Sequence, residues 1–384
     1  MFDFSGALEI SKSWMNRALI LQSFEQKLNI TGNSSAEDVV LLKNALEKFK
    51  NNESEFYAGL GGTTFRFLAF RVSRKPGEYF IRADKKLLAR PQREIVNLLA
   101  RLGVWSELTA DGLKIKSTGW KKPNQKVIVQ VDESSQFLSA LALSTIDLDF
   151  DFEIEQPKKI TSEGYFEMTL KLLASIGVQF GSAHQKIKNY NLTGEVDISS
   201  AFSLVSAAVL DGKVEINNWA TECTQPDIMF LQFFEKMGIH SKIFNNQFSI
   251  IKQIHFKGLY ADISNCPDLF PVLSVLCAFA EGQSNLFNAP QLKHKESDRI
   301  EKTFELLNLC GFRIDKKQDG LIIQGQPSHS HKTKDLILFD PEGDHRMAMA
   351  AGLLMIKGFP IKLPQLDVVN KSYPQFFQHI GVIQ

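Results

Sequence analysis

The sequence predicts an α/β fold made of a repeated unit, and three observations carry the prediction. A polar or small-residue turn followed by a helix-length apolar run recurs six times, at Ser11, Gly61, Ser134, Ser199, Pro267 and Asp344. Later helices end in a shared phrase, Leu99-Ala-Arg-Leu-Gly-Val and its relatives, which places Gly103, Gly177, Gly238, Gly311 and Gly381 just past a helix end, where positive φ is needed. Short β-rich stretches lie between them, at Lys126–Val131, Lys213–Ile216 and Phe248–Ile251, with Asn245-Asn246 as a turn.

The unit therefore reads as βαβαββ, and six of them are too many for one core. An even split gives two similar domains of three units each, which the chain length of 384 residues accommodates. On the pattern alone, an unrelated α/β chain whose helix ends look alike remains open.

Composition removes several function classes. Forty-four Lys and Arg against 43 Asp and Glu leave a net charge of +1, without the basic field of a general nucleic-acid binder. Cys223, Cys266, Cys277 and Cys310 form no C-x-x-C pair and no zinc spacing, so reduced thiols and a cytoplasmic location are expected, with no metal. No apolar run reaches 18 residues, so no membrane span is expected.

The helix starts carry the chemistry. Helix N-termini offer free N–H groups and a positive dipole end, suited to phosphate or carboxylate. Ser11-Lys12-Ser13-Trp14-Met15-Asn16-Arg17 sets two cations at one such start. Gly61-Gly62-Thr63-Thr64-Phe65-Arg66 lets backbone approach a ligand, and Arg90-Pro91 supplies a guanidinium at a strand-to-helix junction. Ser134-Ser135-Gln136, Pro267-Asp268, Lys295-Glu296-Ser297-Asp298-Arg299, Asp344-His345-Arg346 and Lys371 follow. Each alone has a bland reading as a cap, a turn or a solvated charge run. Together, Lys12, Arg17, Arg90, Lys295, Arg299, Arg346 and Lys371 at comparable points of one repeat describe a site for highly anionic small molecules, with the carboxylates Asp268 and Glu296 among them to serve as general base and acid.

This ordered set resembles the 5-enolpyruvylshikimate-3-phosphate synthases over nearly the whole chain; Lys-Glu-Ser-Asp-Arg and Asp-His-Arg-Met-Ala-Met are its most specific parts. The resemblance implies transfer of the enolpyruvyl group of phosphoenolpyruvate to the 5-hydroxyl of shikimate 3-phosphate on the way to chorismate, with no cofactor. It implies two domains, each of three units around a pseudo-threefold axis in an inside-out α/β barrel, at 10–195 and at 1–9 plus 196–384, with the active site in the cleft between them. A monomer is expected.

Carried over by motif, Lys12, Ser13, Arg17, Ser134, Ser135, Gln136, Ser162, Tyr165, Asp268, Gln291 and Lys295 would hold shikimate 3-phosphate, with Ser134, Ser135 and Ser162 around its phosphate. Lys12, Gly62, Arg90, Gln136, Arg299, Arg346 and Lys371 would hold phosphoenolpyruvate. Asp268, Glu296, Lys12 and Lys371 are the catalytic candidates: Asp268 takes the 5-hydroxyl proton, and Glu296, assisted by Lys12 and Lys371, handles the proton at the methylene carbon. Retention of Gly62 implies inhibition by glyphosate in competition with phosphoenolpyruvate. Leu60 and Gln291 replace asparagines usual in the family. Competing readings are an enolpyruvyl transferase acting on UDP-N-acetylglucosamine, whose reactive loop cysteine has no counterpart here, and an inactive member that only binds ligand.

Overall fold

The computed structural model describes residues 1–132, 134–155, 157, 159–220, 222–329 and 335–382. The chain divides into two compact units, Ile10–Gly194 and Met1–Glu9 with Glu195–Gln384.

In the unit Ile10–Gly194, the strands Glu55–Tyr57, Gly77–Arg82, Gly112–Ser117 and Trp105–Thr109 form one sheet in that spatial order. The first pair is parallel and the other two are antiparallel. This is one complete βαβαββ unit: the helix Gly62–Ser73 makes the parallel crossover, and a hairpin closes the sheet. The other unit repeats the arrangement twice. Tyr260–Asp262, Gln283–Phe287, Gly320–Gln324 and Arg313–Lys317 make one sheet. Phe2–Gly6, Gly212–Ile216, Gln247–Ile251 and Ser241–Phe244 make the other, so the N-terminal strand supplies the first member of a sheet otherwise formed more than 200 residues later.

The six apolar runs fold as helices, and their composition is explained by what surrounds them. Every residue of Phe270–Ala278 is buried, as is every residue of Ile198–Asp211 except the last. A helix enclosed on all sides has no solvent face to show, hence Phe270–Ala278 and the buried part of Ile198–Asp211 combine apolar residues with serines and carry no charged side chain. Gly352 lies inside the helix His345–Ile356 because a Cβ there would come within 2.9 Å of the Phe376 ring. The five helix-ending glycines all take positive φ, from 70° at Gly381 to 80° at Gly311.

One expected strand is absent. Lys126–Val131 keeps alternating burial, with Val127, Val129 and Val131 inside, but among the described residues its only ladder contact is a bridge from Val127 to Ile154. A period-two pattern specifies which side chains are buried; a strand also needs a continuous partner. The other repeats likewise carry only short parallel pairs among the described residues, Asn29–Thr31 with Asn191–Thr193 and Ile337–Leu338 with Ile361–Lys362. No helix among the described residues is long and apolar enough to cross a membrane.

Candidate active site

Each unit carries its own cluster of the residues singled out above. In the unit containing the C-terminal half, Pro267 opens a short 3-10 turn that leads Asp268 into the helix Phe270–Ala278. The next helix start brings Arg299, capped by Asp298, and the last apolar helix brings Arg346, capped by Asp344.

Arg299 is the centre of this cluster. Its guanidinium is 1% exposed and meets three carboxylates: Asp344 through Nε at 2.8 Å, Asp268 through Nη1 at 2.7 Å and Glu296 through Nη2 at 3.0 Å. Lys371 Nζ reaches the other oxygen of Glu296 at 2.9 Å. Arg346 Nη2 lies 3.6 Å from Asp268, and Lys295 Nζ lies 4.0 Å from it. Burial alone would raise the Asp268 carboxyl, but Arg299, Lys295 and Arg346 together hold it well below the usual carboxylate range. Arg346 is likewise held charged against burial by Asp268, Asp197 and Asp227, and its buried Nε finds no acceptor among the described residues. Asp268, Lys295, Glu296, Arg299, Arg346 and Lys371 are thus brought together. Gln291 instead donates to the Ser264 carbonyl at 3.0 Å.

Two residues of this cluster were not among the candidates. Asp344, fully buried, accepts from Arg299, from Ser297 Oγ at 3.2 Å and from the Arg346 N–H at 2.9 Å, so one carboxylate fixes both arginines. Asp227, hydrogen-bonded to Ser199 Oγ, is pushed up to about 6 by burial and by the charge of Asp268. Asp344 was visible as a helix cap in its motif; its grip on Arg299, 45 positions away, was not.

In the unit Ile10–Gly194, Ser11 caps the helix Lys12–Phe24, and Lys12 Nζ pairs with Asp38 at 3.0 Å. Asp38 also lies beside Gly61, where a Cβ would come within 2.8 Å of its Oδ1. A Cβ on Gly62 would stand 3.2 Å from Arg90 Nη1, so Lys12, Asp38, Gly62 and Arg90 gather around two helix N-termini. Arg66, noted in its motif but not as a site residue, ties the neighbouring segments together. It donates to Gln136 Oε1 at 2.7 Å, Ser134 Oγ at 3.2 Å, Gln92 Oε1 at 3.1 Å and the Pro91 carbonyl at 3.0 Å.

Arg17 is buried against neutral oxygens: Thr169 Oγ1 at 2.7 Å, the Ser13 carbonyl at 2.8 Å and the Tyr165 carbonyl at 2.9 Å. It meets no carboxylate among the described residues, and burial pushes it down to about 9. Ser135 Oγ donates to the carbonyl of Ser162, which has positive φ, so these two serines meet through one hydroxyl and one backbone group. Tyr165 enters through its carbonyl. Asn16, one turn beyond Lys12, has both amide atoms buried without a partner among the described residues. Its place in the Lys12 motif was the available signal.

The family model for EPSP synthase (3-phosphoshikimate 1-carboxyvinyltransferase) matches residues 12–380. The chain belongs to the EPSP synthase family. It is 31% identical over 331 residues to a 3-phosphoshikimate 1-carboxyvinyltransferase of Thermococcus kodakarensis, covering 84% of this chain and 79% of that one. The same-named protein of Pyrococcus abyssi is 28% identical over 391 residues, with 96% and 92% covered. An EPSP synthase structure from Acinetobacter baumannii superposes with a TM-score of 0.72 at 21% identity, covering 99% of this chain and 95% of that one. The EPSP synthase fold thus accounts for the repeated sheets, and the family model takes in both clusters.

Proposed function

We propose that the chain transfers the enolpyruvyl group of phosphoenolpyruvate to the 5-hydroxyl of shikimate 3-phosphate, releasing phosphate. The observation that carries this reading is the Asp268 cluster. A carboxylate kept ionised by Arg299, Lys295 and Arg346 sits next to a Glu296–Lys371 pair 2.9 Å apart, in a chain of the EPSP synthase family.

The reaction needs a base at the hydroxyl and an acid at carbon. Asp268 accepts the 5-hydroxyl proton as that oxygen bonds to C2 of phosphoenolpyruvate, while the Glu296–Lys371 pair delivers a proton to the methylene carbon. The tetrahedral adduct then expels phosphate and loses a proton from its new methyl group, which restores the double bond. Arg299, Arg346 and Lys371 bind the carboxylate and phosphate of phosphoenolpyruvate, exchanging Asp268 and Glu296 for ligand oxygens. Asp344, wholly buried, keeps its hold on the inner edge of Arg299 during that exchange.

Lys12, Arg90 and the Gly62 backbone offer further donors to phosphate, and Arg66 positions Ser134 and Gln136 for the same task. Four free cysteines, three of them buried, fit a reducing cytoplasm.

The test is product identification by phosphorus and proton NMR with phosphoenolpyruvate and either shikimate 3-phosphate or UDP-N-acetylglucosamine. An enol ether formed only with shikimate 3-phosphate is expected. Product with the sugar nucleotide alone would replace this reading, and no product with either acceptor would refute it.

A further inference from the structure

The unit Ile10–Gly194 holds a second concentration of positive charge. The helices Lys12–Phe24 and Gly62–Ser73 carry Lys12 and Gly62 at their N-termini; at a rise of 1.5 Å per residue their other ends lie about 18 Å away. There, together with the second half of Glu37–Lys50, they line a cavity open to solvent of about 570 Å³, a volume suited to a small ligand.

Lys43, Lys50, Arg71 and Lys75 line it against one carboxylate, Glu47. Three helix C-termini contribute about half a negative charge each, which offsets part of this excess and leaves the cavity positive. Among the described residues, the acceptors that Lys43 and Lys75 reach are amide oxygens, of Asn33 at 3.2 Å and Asn52 at 2.6 Å, and Lys75 Nζ also lies 5.7 Å from the centre of the Phe49 ring.

Arg71 is the built part. One edge of its guanidinium is fixed, with Nε donating to Ser23 Oγ at 2.6 Å and Nη2 to the Ser23 carbonyl at 2.7 Å. Its face is fixed too, 4.0 Å from the Phe24 ring centre and 4.8 Å from that of Phe49. Nη1 donates to no acceptor among the described residues. Burial, then the nearby Arg74, push this guanidinium down to about 10, the behaviour of a cation short of negative charge. Leu19 and Leu46 complete an apolar wall beside Phe49.

We propose that this cavity binds a small phosphomonoester with a flat apolar body, its phosphate on Lys43, Lys50 and Arg71 Nη1 and its body against Phe49. The charge set selects a dianion, and the apolar wall distinguishes the ester from free phosphate.

Isothermal titration of phenyl phosphate into the full chain tests this, with inorganic phosphate and phenol as separate controls and with shikimate 3-phosphate present or absent. Phenyl phosphate is expected to bind with a dissociation constant below about 1 mM. Each control should bind roughly tenfold more weakly or worse, and shikimate 3-phosphate should leave the affinity unchanged. The double variant Lys43→Ala/Lys50→Ala, altered at side chains outside the core, should melt as the parent does and lose at least about tenfold in affinity. Absence of binding, equal affinity in that variant, equal affinity for inorganic phosphate, or displacement by shikimate 3-phosphate would each overturn the proposal.

Discussion

The clusters around Arg299 and Arg17 hold buried guanidinium groups in opposite ways. Arg299 is surrounded by Asp344, Asp268 and Glu296, whereas Arg17 meets, among the described residues, only the neutral oxygens of Thr169, Ser139, Ser13 and Tyr165. A cation matched by carboxylates is held charged and stable before any ligand arrives, and an incoming anion must exchange with them. A cation held by neutral dipoles is positioned but not neutralised, and an anion completes it without displacing anything. Under the proposed function, one chain would present cations to anionic substrates by two routes.

Removing the cations should separate the routes most strongly. Arg299→Met removes the cation that three carboxylates share and leaves the buried Asp344 with only the neutral donors Ser297 Oγ and the Arg346 N–H at hydrogen-bond distance among the described residues, so it should abolish turnover and destabilise its unit by about 3–5 kcal/mol in urea melts at pH 7. Arg17→Met removes a charge that folding leaves uncompensated; stability should change by less than about 1 kcal/mol, while affinity for shikimate 3-phosphate falls. Equal stability losses would break the comparison.

Asp227 sharpens it through pH. Its carboxyl stands near 6 in the folded chain against an ordinary 3.8, so the folded state favours the protonated form. The cost of ionising it is absent below about pH 4, sets in as pH rises, and is complete above about 6. Asp227→Asn should therefore stabilise the chain at pH 7, by up to about 3 kcal/mol, and leave it unchanged at pH 4. A stability gain independent of pH would contradict this.

The smallest effect belongs to Gly62. Its φ is not positive, so alanine costs no backbone strain, but the new Cβ presses on Arg90 Nη1 at 3.2 Å. Gly62→Ala should raise the KM for phosphoenolpyruvate a few-fold with kcat and melting temperature nearly unchanged. A drop in kcat alone would place Arg90 differently.

The sequence made the helices legible because their signals are local: a cap, an apolar run and a glycine within one segment, as at Asp344 to Ile356 or Leu99 to Gly103. It made Asp268, Glu296 and Arg299 legible because their motifs are dense. Lys126–Val131 misled because strand formation depends on a partner that its own alternation cannot report. Asp38, Asp227 and the second role of Asp344 were invisible for a related reason. Each acts on residues distant in sequence, as Asp38 does on Lys12 26 positions away, and a lone acid in a polar turn looks the same whether or not it has such a partner.

The most direct measurement is the rate of phosphate release by the full chain and by Asp268→Asn, each with phosphoenolpyruvate alone and with shikimate 3-phosphate added. The parent should release phosphate only when both substrates are present, and the variant should be slower by roughly 10²–10⁴-fold with its fold intact. Release without shikimate 3-phosphate, or an unchanged rate in the variant, would contradict the assignment of Asp268 as the base of this reaction.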